Sequence, residues 1–423
     1  LEVDKIMRIC FICDFRSPIA RNWIRHFIQQ GYEVHVISSY PCSADDLPVA
    51  SLHVVPMAFS GLTGLRKTAG VASGNHISPI LSILSKTNKG WLFRVAMAVR
   101  RWVGPIEVHR HIGSVRKLVE EIGPDLVHAM RVPFEGMLAA LAVRETPLLI
   151  SVWGNDFTLQ AKHNPVIGMH TRWAMQQTDA LHCDCFRDLR LASTWGFDDS
   201  KPSIVLPGAG GVRLSVFHPG PADITALRLA GISPNTPVVI NPRGFRGYVR
   251  NDTFFRAIPL VLQQRADVVF LCSALQNNPL AEQWIRRLHI GHAVRLLPTV
   301  PHDQMADFFR LAQVAVSPSE HDGTPNTLLE AMACGCLPVA GDIESVREWI
   351  EDGVNGLLFD PASPESLAQA ILRALNNPEL YERARQYNLK LIAERAEYDK
   401  VMKRAELFYH QVIEHARSKR EHS

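Results

Sequence analysis

The chain has 423 residues, 47% of them hydrophobic and 21% charged, which suits a globular protein with apolar material for more than one core. At roughly 100 to 200 residues per domain, two domains are expected. No apolar stretch approaches the ~20 residues that cross a bilayer and no charged-then-apolar leader opens the chain, so neither a membrane span nor a secretory signal is expected. A net charge of +3 is too mild for a dedicated nucleic-acid binder. The eight cysteines sit mostly inside apolar, strand-like runs and read as reduced core thiols of a cytoplasmic protein.

In chain order, residues 8–12, 33–38, 125–129, 148–153, 180–184 and 203–206 read as strands, with helices such as 20–30 and 134–144 between them. The pattern then restarts at 238–242, 268–273, 294–297, 314–318, 337–340 and 356–359. Short apolar runs alternating with helix-length segments are the pattern of parallel sheets covered by helices, so the expected fold class is α/β, with two doubly wound units in tandem. Between them, Leu206-Pro207-Gly208-Ala209-Gly210-Gly211-Val212 has the composition of a hinge. The domains are therefore expected at 1–208 and 209–395. Residues 394–418 read as one long charged helix with Val401, Leu407, Phe408 and Val412 on a single face, and 396–423 is expected as a terminal helix packing across the hinge.

The most informative stretch runs from Ser317 to Gly335. It reads as a buried strand, a glycine-containing turn and a short helix, with Thr324 as N-cap, Pro325 at the first helical position and Gly335 just past the end. The N–H groups near Asn326 and Thr327, reinforced by the helix dipole, suit a phosphate or diphosphate. Glu330 is five residues beyond Pro325, about 7.5 Å further along the axis at ~1.5 Å per residue. A carboxylate there can accept two hydrogen bonds from a ribose diol. Asp322, on the other side of the helix N-terminus, can bind hydroxyls of a group attached to the outer phosphate. One linear ligand meets all three positions: nucleoside, diphosphate, sugar. An isolated pair of acids at this spacing is ordinarily a turn aspartate and a solvated helix glutamate. Here the pair flanks a phosphate-ready helix N-terminus at the carboxyl end of a parallel strand, where doubly wound sheets bind ligands.

From Asp322 to Val339 the chain resembles the E-x7-E region of the retaining glycosyltransferases of family 4. That family has the GT-B fold, two Rossmann-like domains facing a central cleft that holds the donor. Gly210 to Pro219 is similar to the family's N-G-V-D-x-x-x-F-x-P linker, and Asp342 to Gly356 to the tail after the helix. The resemblance implies that Glu330 binds the nucleotide ribose and that Asp322, where the family usually has glutamate, contacts the donor sugar. Gly323, Thr324, Pro325, Asn326 and Thr327 are the implied donor-binding loop. Arg243 matches the arginine that neutralises the diphosphate; the lysine that should follow is absent, and Arg246 and Arg250 are the candidates to replace it.

In the N-terminal half, Trp153-Gly154-Asn155-Asp156 resembles the family's H-G-x-D segment. Trp153 then stands where a histidine often touches the donor sugar, Asn155 beside it is a sugar or acceptor contact, and Asp156 either binds an acceptor hydroxyl or closes a turn. His128, ending a strand, is either an acceptor contact or structural. Ser17 lies in a first loop without the Gly-Gly of many relatives, and its backbone is the implied approach to the diphosphate. The His109-Arg110-His111 and Cys183-Asp184-Cys185 sets lack further ligands at metal spacing, so no metal is assigned, and no cofactor is expected beyond the nucleotide sugar as co-substrate.

The implied activity is transfer of a sugar from a nucleotide diphosphate donor, a UDP-sugar, to an acceptor hydroxyl with retention, in polysaccharide or glycolipid synthesis. Asp322, Arg243 and Asp156 are the catalytic candidates. Two alternatives remain: another GT-B activity, such as a nucleotide-sugar epimerase or a sugar-phosphate synthase, and a non-catalytic sugar-nucleotide-binding protein. A dehydrogenase is disfavoured because neither first strand is followed by G-x-G-x-x-G. For the acceptor, Gly61 to Val119 holds ten basic residues and one acid, Glu107. Residues 77–84 and 91–103 mix apolar and basic side chains as an interfacial helix does, which points to an anionic membrane surface and a glycan or lipid-linked acceptor; the alternative is a packed helix with a basic rim. The expected location is cytoplasmic, peripheral to the inner face of the membrane, with no nucleic-acid partner.

Overall fold

The structure is a computed structural model that describes residues 6–44, 46–57, 102–221, 223–233 and 235–421. They form two compact units: the first from Leu1–Asp184, Asp188–Val205 and Ala405–Ser423, the second from Cys185–Arg187 and Leu206–Arg404. Among the described residues no helix is long and apolar enough to cross a membrane. Residues 77–84 and most of 91–103, with much of the basic segment, lie outside the described residues.

The first unit is built on β1 (Arg8–Cys13), β2 (Glu33–Ser38), β3 (Ser51–Val54), β4 (Leu126–Ala129), β5 (Leu148–Val152), β6 (Ala180–Cys183) and β7 (Ser203–Val205). They pair in parallel in the order β3-β2-β1-β4-β5-β6-β7. β3 was not expected from the sequence, because Ser51-Leu52-His53-Val54 is a half-exposed edge strand with no apolar run to announce it. Cys10 and Cys13 have two residues between them, and a separation of three strand positions puts their side chains on opposite faces; both thiols are free and fully buried. Burial alone pushes Cys10 up to about 12, so it stays protonated.

The helix Pro18–Gln29 buries Ala20, Trp23, Ile24 and Phe27, a spacing of three and four residues that lays one stripe on the sheet. The helix expected over 134–144 is corrected: Val132–Gly136 is a wide turn with Phe134 at φ 70°, and regular helix covers only Met137–Ala142. At Gly136 a Cβ would lie 2.8 Å from the Arg131 carbonyl oxygen, so this tight approach requires glycine.

The second unit repeats the plan with β8 (Val238–Asn241), β9 (Val269–Cys272), β10 (Val294–Leu296), β11 (Val314–Ser317), β12 (Leu337–Gly341) and β13 (Leu357–Phe359), all parallel, in the order β10-β9-β8-β11-β12-β13. Both faces are covered. Val239, Val314, Val316 and Val339 pack with Phe254 and Phe255 on one side, while Val238, Ile240, Ala315 and Ala340 pack with Leu328 and Leu329 on the other.

The helix expected over 394–418 is Tyr398–Glu421, starting four residues later than expected, and a separate helix, Pro378–Arg395, precedes it. Val212 of the linker separates them, its N–H donating to the Ala396 carbonyl at 2.7 Å and its carbonyl accepting from the Tyr398 N–H at 3.0 Å. Gly211, at φ +90°, fits there because a Cβ would stand 2.3 Å from the Ala396 oxygen. On the last helix Val401, Phe408 and Val412 are buried as expected, but Leu407 is 61% exposed and Tyr409 takes the inward place.

Candidate functional site

In the second unit the strand order reverses between β8 and β11, and a doubly wound sheet opens a crevice at the carboxyl ends of the strands at that point. Arg243 follows β8 and the loop 318–325 follows β11, so residues 79 positions apart meet there. Arg243 Nη2 donates to Asp322 Oδ2 at 2.8 Å, with side chains only 9% and 15% exposed. Its Nη1 lies 3.5 Å from Thr327 Oγ1, and its N–H donates to Asn241 Oδ1 at 2.9 Å. The guanidinium is thus anchored to the strand end and spans the start of the helix Asn326–Ala333.

Helix entry differs by one residue from the expectation: Pro325 is the N-cap, Thr324 does not cap, and its Oγ1 accepts from Trp349 Nε1 at 3.3 Å. The Asn326 N–H is turned back to the Thr324 carbonyl at 2.9 Å, while no described group accepts from the Thr327 N–H. Only the second of the two expected amides is therefore open to an anion. Gly323 N–H donates to Asp322 Oδ1 at 3.2 Å, closing the turn. Arg243 Nε and Asn326 Oδ1 are buried and have no hydrogen-bond partner among the described residues.

Glu330 is buried on that helix, and His302 Nε2 lies 2.8 Å from its Oε1. Sequence reasoning missed His302; it is 28 residues away and no local pattern links the two. Arg187 and Ser345 were missed too. Arg187 Nη1 and Ser345 Oγ each donate to the Asp322 carbonyl at 2.7 Å, fixing the backbone that carries the carboxylate. Of the two candidates to replace the lysine, Arg250 is held by Asp252 at 2.9 Å and Glu320 at 3.3 Å, carboxylates that raise its pKa. Arg246 is exposed and donates to the Tyr248 hydroxyl at 3.0 Å.

Two family models match the chain: glycosyl transferases group 1 over residues 230–391 and glycosyl transferase 4-like over residues 81–184. Both halves of the chain thus resemble glycosyltransferases of the group 1 and family 4-like kind. A D-inositol 3-phosphate glycosyltransferase of Thermobispora bispora is 26% identical over 189 residues, 42% of this chain and 43% of that protein. One from Catenulispora acidiphila is 30% identical, covering 45% and 47%. The chain thus matches less than half the length of these curated relatives. Among solved structures, sucrose-phosphate synthase from Thermosynechococcus elongatus superposes with a TM-score of 0.71 at 15% identity, covering 96% of this chain and 99% of that one. Anabaena Alr3699/HepE, solved in complex with UDP, gives 0.69 at 15% identity over 94% and 98%. The fold is GT-B, with two parallel-sheet α/β domains.

In the first unit the sequence-derived candidates prove more structural. Asp156 is sealed: Oδ1 accepts from Arg131 Nε at 3.0 Å, and Oδ2 from the Trp153 N–H at 3.1 Å and the Val132 N–H at 3.5 Å. Burial raises its pKa against the pull of Arg131. Of its two expected roles the structure shows the turn-closing one. Trp153 lies under the Arg131 guanidinium, 5.5 Å from the ring centre, and Asn155 Oδ1 accepts from Arg131 Nη2 at 3.2 Å.

His128 is wholly buried, its Nδ1 2.5 Å from the Tyr409 hydroxyl and its Nε2 2.7 Å from Ser151 Oγ. Burial, then the neighbouring His182, push its pKa well below the usual value, so it is a neutral core imidazole and not an acceptor contact. The Ser17 N–H already donates to the Asp14 carbonyl at 2.9 Å, which removes it as a diphosphate donor.

Proposed function

We propose that this chain transfers a sugar from a UDP-type nucleotide sugar to an acceptor hydroxyl, with retention of anomeric configuration and without a metal ion. The observation that carries this reading is the convergence of Arg243, Asp322, the Thr327 N–H and Glu330 at the switch point between β8 and β11. Glu330 takes the ribose diol. The diphosphate lies against the Thr327 N–H and Arg243, and Asp322 faces the donor sugar. The leaving nucleoside diphosphate gains about two negative charges, which an already oriented guanidinium stabilises without reorganising solvent. Diphosphate competes with Asp322 for Arg243, so donor entry releases the carboxylate to accept from sugar hydroxyls.

The UDP and UDP-glucose complexes of HepE and the inositol-phosphate acceptor in the relatives' names support the donor class and the hydroxyl acceptor. The acceptor attacks on the face of the leaving phosphate, whose oxygen takes its proton. The basic stretch between Gly61 and Val119 favours an anionic, lipid-linked or glycan acceptor reached from a membrane's cytoplasmic face. To test this, UDP-, GDP- and ADP-sugars are incubated with inositol phosphate and lipid acceptors in the presence of EDTA, and the product's anomeric signal is read by NMR. Retained configuration at full rate is expected. An inverted product, or transfer abolished by EDTA, would overturn the mechanism.

A further inference from the structure

Glu330 has a partner on the edge of the same site. His302, in the turn His302–Gln304 after β10, places Nε2 2.8 Å from Glu330 Oε1, and its ring sits 5.1 Å from that of Phe217. The Glu330 side chain is 7% exposed and the imidazole 58%, so one member of the pair is fixed in the protein and the other reaches solvent. Among the described residues none bonds Glu330 Oε2. The charged neighbours of the pair are Asp303 on the same turn, Arg213 from the linker, and Asp307 and Arg310 near the following turn of the Glu330 helix, together with the Cys334 thiol. Arg213 lies over the Tyr398 ring, and Arg310 pairs with Asp307 at 2.8 Å. The Cys334 thiol is pushed up to about 12 by burial, so it does not titrate near neutrality.

We propose that His302 is a positioning residue for the nucleotide: it anchors one oxygen of Glu330, leaves the other for the ligand's vicinal diol, and as imidazolium cancels the carboxylate charge close to the incoming diphosphate. This rests on the ribose reading of Glu330 given above. A carboxylate already held in one rotamer loses less freedom on binding. An uncompensated carboxylate repels a dianionic ligand, and a neighbouring cation removes that penalty. The hydrogen bond to Glu330, ahead of the opposing effect of burial, holds the His302 pKa above its usual value. The imidazolium is therefore kept to higher pH than in a free imidazole and is lost as pH rises through that raised value, and nucleotide-sugar affinity falls with it.

The test is calorimetric titration of the full chain with UDP-, GDP- and ADP-glucose, whose diphosphate diesters do not titrate between about pH 6 and 9. Whichever binds is used for wild type, His302→Ala, His302→Gln and Glu330→Ala. At the acid end H302A is expected to weaken binding by about tenfold. H302Q, which keeps a side-chain N–H donor, should lose less, and both should bind with a flat pH profile where wild type slopes. In transfer assays the loss should appear in the donor KM with kcat little changed. Wild-type affinity and slope in both His302 variants, with E330A weakened, would overturn the role of His302 alone. E330A binding like wild type, or no nucleotide sugar binding at all, would overturn the ribose reading and His302 with it.

Discussion

Arg243 and Asp322 meet in a short, mostly buried ion pair, so neither acts alone. Asp322→Ala is expected to slow transfer while the nucleotide still binds, because the arginine then faces the diphosphate without a competitor. Arg243→Ala should lower kcat more than it raises donor KM, since charge on the diphosphate grows during departure. The double variant should lose less than the product of the single losses, as contacting residues do. Steady-state kinetics of the four proteins checks this; strictly multiplicative losses would mean that the pair does not act together. The strand, turn and helix that carry Asp322 and Glu330 were legible in the sequence because they are contiguous in the chain. His128 and Asp156 stayed open between two roles in the sequence because a polar residue at a strand end faces ligand or core according to what packs over it. For His128 that is Tyr409, 281 residues away; for Asp156 it is Arg131, which the sequence places 25 residues earlier with no pattern to join them.

At the scale of elements, Tyr409 ties the last helix of the first unit to β4 and to the helix Pro18–Gln29. Its hydroxyl lies 2.8 Å from Trp23 Nε1 and 2.5 Å from His128 Nδ1. Tyr409→Phe strands both buried groups and should cost about 2 to 4 kcal/mol, read by chemical denaturation. His128 is held neutral by burial, so unfolding lets it take up a proton, and the stability it contributes is lost as pH falls below about 6.5. A His128→Gln variant should therefore lose less stability than wild type between about pH 7 and 5 in thermal scans. In the linker, Gly211→Ala places a methyl 2.3 Å from the Ala396 oxygen at φ +90° and should destabilise by about 2 kcal/mol or more. Buried strands were legible to within a residue or so because parallel sheets covered on both faces read as apolar runs. β3 and the break at Ala396–Glu397 were not: the first is half exposed, and the second is imposed by Val212, far away in sequence.

Over the whole molecule, two doubly wound units, alike in strand order except for the edge strand β7 of the first, each offer a switch point, and the groups proposed for the nucleotide gather at that of the second. The basic segment between Gly61 and Val119 is the sequence's one pointer to the acceptor. Sedimentation with anionic vesicles at low salt should pull the protein down, with about 1 kcal/mol per basic residue near the surface, and high salt should release it. Equal, negligible binding to anionic and neutral vesicles would leave a soluble acceptor. The central claim, that the loop after β11 and its helix hold a nucleotide sugar, is tested most directly by calorimetric titration of the full chain and its Glu330→Ala variant with a panel of nucleotide sugars. Losing a charged hydrogen-bond partner costs about 1.5 to 3 kcal/mol, so one ligand should bind wild type and bind the variant roughly 10- to 100-fold more weakly. Equal affinity for both proteins, or no binding to wild type, would contradict the account.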